Sequence, residues 1–123
     1  MNDQETTIDQ LKRLVLEFSQ ARDWEQFHNP KDLALALVCE VGELLEHFRY
    51  RTNEGIASRL NQPEINQQVA HEVADCLWLI LRIAEVCHID LATSLREKLS
   101  LADAKYPVEL SRGRPDKHTT YAS

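Results

Sequence analysis

Glycine and proline are nearly missing from this sequence, with three and four copies among 123 residues. That leaves too few turn signals for a protein built of many short strands. Aromatic residues make up only 7%. Positive charge is also short: 14 Lys and Arg stand against 20 Asp and Glu, a formal net charge of −6. An electrostatic grip on a nucleic-acid polymer needs clustered cations, so that function class is set aside. A phosphate-bearing small ligand is not, because bound divalent cations reverse the local field. Long apolar runs are missing too. Residues 33–39 are uncharged and apolar, yet far too short to span a bilayer. The opening MNDQETTIDQ has neither a basic segment nor an apolar one, so no secretory signal is expected and the cytoplasm is the expected location. Cys39, Cys76 and Cys87 fit no zinc spacing and are odd in number, so they are expected to be reduced, buried thiols acting as small hydrophobes.

What is present reads as helix. The length suits one domain with its own core. Thr7 and Gln10 have capping-box spacing, and Ile8, Leu11, Leu14, Val15 and Phe18 follow at helical period to about Asp23. Asn29-Pro30 is a second start, for a helix to about Arg51. Residues 52–62 read as a loop with at most one helical turn. Pro63 opens a long helix to about Cys87, and Asp90 caps a fourth that Tyr106-Pro107 ends near Lys105. The expected fold is all-α and four-helix-bundle-like, one domain over 1–107 with a polar, irregular tail at 108–123.

The chemistry sits in two helices that are otherwise greasy. In "CEVGEL", Glu40 and Glu43 share a stripe with Ala36 and His47, beside the apolar stripe of Leu37, Val41, Leu44 and Phe48. Gly42 weakens the helix by roughly 1 kcal/mol and is expected to let a neighbouring backbone come close. In "HEVADCLWLI", Glu72 and Asp75 repeat the three-residue spacing on a face shared with Cys76, Leu79 and Ile83. A lone ExxE is usually a solvated face. Two pairs set in apolar sequence, on helices able to pack antiparallel, instead put four carboxylates in one pocket. Such a cluster must be protonated or neutralised by cations, and all-oxygen ligation favours Mg2+ or Mn2+ over zinc.

The segments "RDWEQFHNP", "ALVCEVGELLEHF", "HEVADCLWLI", "HIDL" and "KYPVELSRG" occur in that order between about Leu11 and Arg112. On them the chain resembles the all-α nucleoside triphosphate pyrophosphohydrolases, the MazG-like superfamily, and within it the dCTP pyrophosphatase branch. The resemblance implies cleavage of a nucleoside triphosphate between its α and β phosphates, giving monophosphate and pyrophosphate. It implies Mg2+ held by Glu40, Glu43, Glu72 and Asp75, with in-line attack by water and Glu43 as the candidate for positioning it. It assigns Trp24 and Tyr50 to the base, Tyr50 standing where that branch carries a tryptophan. It assigns Lys98, Lys105 and Tyr106 to the phosphates. Leu79 replaces a tyrosine and Ala102 an asparagine, which bears on base preference; cytosine is the first expectation. Arg112 and Lys117 are cations of the tail. His28, just before a helix start, is expected to make a local hydrogen bond, and His47 to support the acidic stripe.

Two rival readings exist. A ferritin-like di-metal bundle wants Glu-x-x-His motifs, and Glu85-x-x-His88 supplies one. Glu85 lies thirteen residues after Glu72 in this sequence, roughly 20 Å along a helix, and cannot join that site. A non-catalytic helical assembly module would instead use the apolar surplus for association. The surplus leads, on either reading, to an expected homo-oligomer, at least a dimer, and the resemblance implies a tetramer.

Overall fold

The computed structural model describes residues 1–122, and these are all-helical, without strands. Helix α1 spans Ile8–Gln20, and Thr7 and Gln10 close its capping box reciprocally, with bonds of 3.1 and 2.8 Å. It stops where Asp23 takes a positive φ of 55° and the Trp24 amide returns to the Ser19 carbonyl at 2.9 Å. Ser19 is fully buried under this reversal, its hydroxyl donating to the Val15 carbonyl. A 3-10 turn over Glu25–Phe27 then leads to His28 and Asn29.

Helix α2, Pro30–Glu46, starts as the Asn29-Pro30 signal requires, with the Asp32 amide donating to the Asn29 side chain at 2.9 Å. It ends earlier than residue 51, in a turn where Tyr50 has φ 62°. Residues 52–62 are more ordered than the expected loop. Thr52 caps the Gly55 amide at 3.0 Å and opens a two-turn helix, α3, over Asn53–Leu60. The 24-residue α4, Pro63–Val86, is the axis against which α1, α2 and α3 pack. Leu33 of α2 and Leu81 and Ala84 of α4 are the buried apolar centre, each leucine contributing about 1.5–3 kcal/mol. His88 turns the chain with φ 56°, and Lys12 of α1 fixes the exit by donating to the Ile89 carbonyl at 2.6 Å.

The chain forms two compact units, Met1–Ile89 and Asp90–Ser123. The second begins with α5, Leu91–Lys105, capped by Asp90. Its tail is not wholly irregular. Helix α6 covers Val108–Ser111, Gly113 makes the positive-φ turn, and a 3-10 turn spans His118–Thr120. Arg114 and Asp116 pair there at 2.6 Å, and Tyr106 stacks edge-on against His118 and Tyr121. Arg114 and Thr120 both donate to the Asp116 carboxylate, holding its pKa well below the usual range. Among the described residues, no helix is long and apolar enough to cross a membrane.

Candidate active site

Three-residue spacing puts Glu40 and Glu43 on one side of α2, and Glu72 and Asp75 on one side of α4. Because these two helices pack together, the four meet: each offers a carboxylate oxygen, and the four oxygens lie within 4.8 Å of one another. Glu40, Glu72 and Asp75 are half-buried, whereas Glu43 is exposed. Among the described residues, no Lys or Arg forms an ion pair with any of the four. Glu40 Oε2 and Glu72 Oε2 are buried and accept no hydrogen bond. An unmatched buried polar atom costs about 1–3 kcal/mol, and more when charged.

That imbalance shows in the acid strengths. Burial pushes the Glu40 carboxyl above its ordinary value, and its hydrogen bond with Glu43 and the charges of Glu43, Asp75 and Glu72 push the same way. The Cys76 thiol is raised by burial first and by Glu40, Asp75 and Glu72 after it. A raised thiol is a poor thiolate ligand. The donor set is therefore hard oxygen, with unmet acceptors, and it fits Mg2+ or Mn2+. It contains no histidine, and Glu85 and His88 lie outside it. The cysteines do not all behave as small core hydrophobes: Cys39 and Cys87 are exposed, because each falls on a face of its segment that the first unit leaves uncovered.

A cavity of about 220 Å³ adjoins Glu40 and Asp75 and runs to His28 and Arg82, with Trp24 and Trp78 among its walls. The two indoles are linked through Phe18, whose ring centroid lies 5.9 Å from Trp24 and 5.0 Å from Trp78, both edge-on. The Arg22 guanidinium lies over the Phe18 ring, 3.6 Å from its centroid. Arg82 is only 2% exposed, and its Nε donates to His28 Nδ1 at 3.1 Å. Burial, and then the Arg82 charge, lowers the His28 pKa, with Glu25 opposing. A neutral ring is what an Nδ1 acceptor requires. His28 thus makes a bond to a residue 54 positions away, where a local bond was expected, because the 3-10 turn carries it over α4.

Sequence reasoning did not pick out Trp78 or Arg82. The signal was available: from Asp75 they follow at three and seven residues, one stripe of α4. The structure brings Trp24 to the cavity but not Tyr50, which is 94% exposed beneath Arg49 in the turn after α2. His47 caps the end of α2 and is half-buried. Lys98, Lys105 and Tyr106 belong to the second unit, the two lysines on α5 and the tyrosine at its C-terminal cap. Arg112 and Lys117 are exposed in that unit. Gly42 is expected from the sequence to receive a neighbouring backbone, yet among the described residues of its own unit a Cβ there would meet nothing within 4 Å.

No model of a protein family matches the chain. Individual relatives do. It is 40% identical over 115 residues to dCTP pyrophosphatase 1 of Rattus norvegicus and 36% identical to that of Homo sapiens. Each alignment covers 94% of this chain and 68% of the relative. The chain belongs to the dCTP pyrophosphatase family. A crystal structure of a pyrophosphatase from Archaeoglobus fulgidus superposes with a TM-score of 0.76 at 29% identity, over 87% of this chain and 98% of the other. Membership in the dCTP pyrophosphatase family agrees with the all-helical fold and with the resemblance carried by the sequence motifs. The Leu79 position, where that family resemblance expects a tyrosine, lines the cavity directly. An apolar leucine there puts no hydroxyl on the wall, whose polar side chains are His28, Arg82, Glu40 and Asp75.

Proposed function

We propose that this enzyme hydrolyses a deoxynucleoside triphosphate, dCTP first among them, between the α and β phosphates, releasing the monophosphate and pyrophosphate. One observation carries the reading: four carboxylates from two helices converge within 4.8 Å, beside an aromatic-walled cavity. Glu40, Glu43, Glu72 and Asp75 would hold Mg2+, or Mn2+ in its place. When bound, the ion neutralises the triphosphate and polarises its phosphoryl oxygens. Without it, four acids would repel the substrate.

The remaining roles fall to the chain's own residues. Trp24 offers an indole face for the base, with Trp78 as a second wall. Glu43 is the one exposed acid of the four and is the proposed group that orients the attacking water and accepts its proton. Lys98, Lys105 and Tyr106 are proposed as phosphate contacts on the family resemblance. The exposed strip of Leu35, Val38 and Leu45 on α2, flanking Gly42, supports assembly as a homo-oligomer, a tetramer by the same resemblance. The enzyme would serve the nucleotide pool of the cytoplasm.

A pyrophosphate-release assay over a panel of nucleoside triphosphates, with Mg2+ and with EDTA, tests the reading. Turnover is expected only with metal, with monophosphate as co-product and deoxycytidine compounds among the best substrates. Release of inorganic phosphate and a diphosphate would rule out α–β cleavage.

A further inference from the structure

Among the described residues, one donor of the cavity wall has no acceptor. Arg82 Nε is committed to His28, but Nη1 is sealed from bulk water and has no acceptor. Among the described residues, no carboxylate pairs with this guanidinium. Buried polar groups are nearly always matched, so the missing acceptor points to a ligand.

Its position says which part of the ligand. Arg82 lies seven residues after Asp75 on α4, about 10 Å along the helix. The carboxylates, and with them the phosphates, occupy one end of the cavity. Arg82 lines the same cavity two helical turns along α4, with Trp78 between it and Asp75 on that helix. A nucleotide with its phosphates at the carboxylates presents its base at the arginine end.

We infer that Arg82 determines base specificity by donating from Nη1 to the O2/N3 edge of a cytosine ring. His28 orients the guanidinium through its bond to Nε. The chemistry discriminates because cytosine places two acceptors side by side, O2 and N3. Uracil and thymine carry an N3–H there, a donor set against a donor. The inference rests on reading the cavity as a nucleotide site.

The experiment titrates the wild-type enzyme with dCMP and with its 3-deaza analogue, in which a C–H replaces the N3 acceptor. The signal is tryptophan fluorescence, since Trp24 and Trp78 both line the cavity. The analogue is expected to bind on the order of 10- to 100-fold more weakly. R82M, checked for folding by circular dichroism, should bind the two ligands within about threefold of each other and lose most of its preference for dCTP over dUTP. Equal affinity of the wild type for dCMP and the 3-deaza compound overturns the assignment, and that comparison needs no variant. A fall in R82M that is the same for both ligands also overturns it. If the wild type binds neither ligand and releases no pyrophosphate, the nucleotide reading itself is lost, and the role of Arg82 with it.

Discussion

Glu40 on α2 and Glu72 on α4 each bury an Oε2 that meets no donor, and each offers an oxygen within 4.8 Å of the other. The site is thus under electrostatic tension in the polypeptide alone. Removing one charge should relax it. In metal-free protein, Glu40→Gln is expected to raise the melting temperature by about 3 °C, for a gain of about 1 kcal/mol. Turnover should fall by about two orders of magnitude or more, because a carboxamide is a poor ligand for a hard cation. Differential scanning calorimetry and the pyrophosphate assay read the two effects. A variant that keeps full activity would remove Glu40 from the proposed site.

The same tension gives a pH dependence of unusual sign for a carboxylate. The Glu40 pKa is raised in the folded state, first by burial and then by its acidic neighbours. Above the ordinary glutamate value the folded chain therefore binds more protons than the unfolded one, and stability falls as pH rises through that window. The metal-free protein should melt higher at about pH 5 than at neutral pH. Mg2+ should reverse the trend, adding about 1.4 kcal/mol at ten times its Kd near neutrality and less in acid, where protons compete. Thermal melts with Mg2+ and with EDTA at both pH values decide it. A metal-free melting temperature that rises toward neutrality would contradict the assignment.

Which parts of this arrangement could be read from the sequence follows from the range of the interactions involved. Glu40-x-x-Glu43 and Glu72-x-x-Asp75 were legible because helical periodicity alone puts each pair on one face, and the packing of α2 on α4 brings the two faces together, with Glu43 left exposed. Helix starts at Thr7, Asn29 and Asp90 were legible because capping is local. The bond from Arg82 to His28 was not, since it depends on how a 3-10 turn drapes over a helix 54 residues later. Helix α3 was missed because its eight residues carry a weak apolar pattern, and tertiary support from α4 stabilises it. Gly42 and Cys39 differ from expectation for a common reason. Apolar residues around the whole of α2 were read as burial within one chain, whereas part of that surface is open.

Trp24 should separate binding from chemistry. Its indole is 42% exposed, so it can be removed without opening the core. Base stacking on an aromatic face is worth about 1–3 kcal/mol. Trp24→Ala is therefore expected to raise KM for dCTP by roughly 5- to 150-fold while changing kcat by less than about threefold. Trp78 is a poorer choice for this test, because it is more buried than Trp24 and joins α4 to α1 through its closer edge-on contact with Phe18, 5.0 Å against 5.9 Å. Steady-state kinetics on Trp24→Ala that showed an unchanged KM would take the base away from this wall.

The open face of α2 provides the last test. Leu35, Val38 and Leu45 follow one another along a stripe with Gly42 among them, and Val38 is 69% exposed. On α4, Val73, Leu77 and Ile80 form another exposed apolar stripe. Contiguous apolar surface of this kind is rare on a protein that stays monomeric. In the proposed oligomer Gly42 would let a second backbone approach this face closely, which would account for a residue that otherwise weakens the helix. Val38→Glu would set a charge in the centre of the stripe without touching the carboxylates. Light scattering should show the wild type as a dimer or tetramer at micromolar concentration and the variant as a smaller species. A wild-type monomer would refute association through this face, and a variant that kept the wild-type mass would move the interface elsewhere.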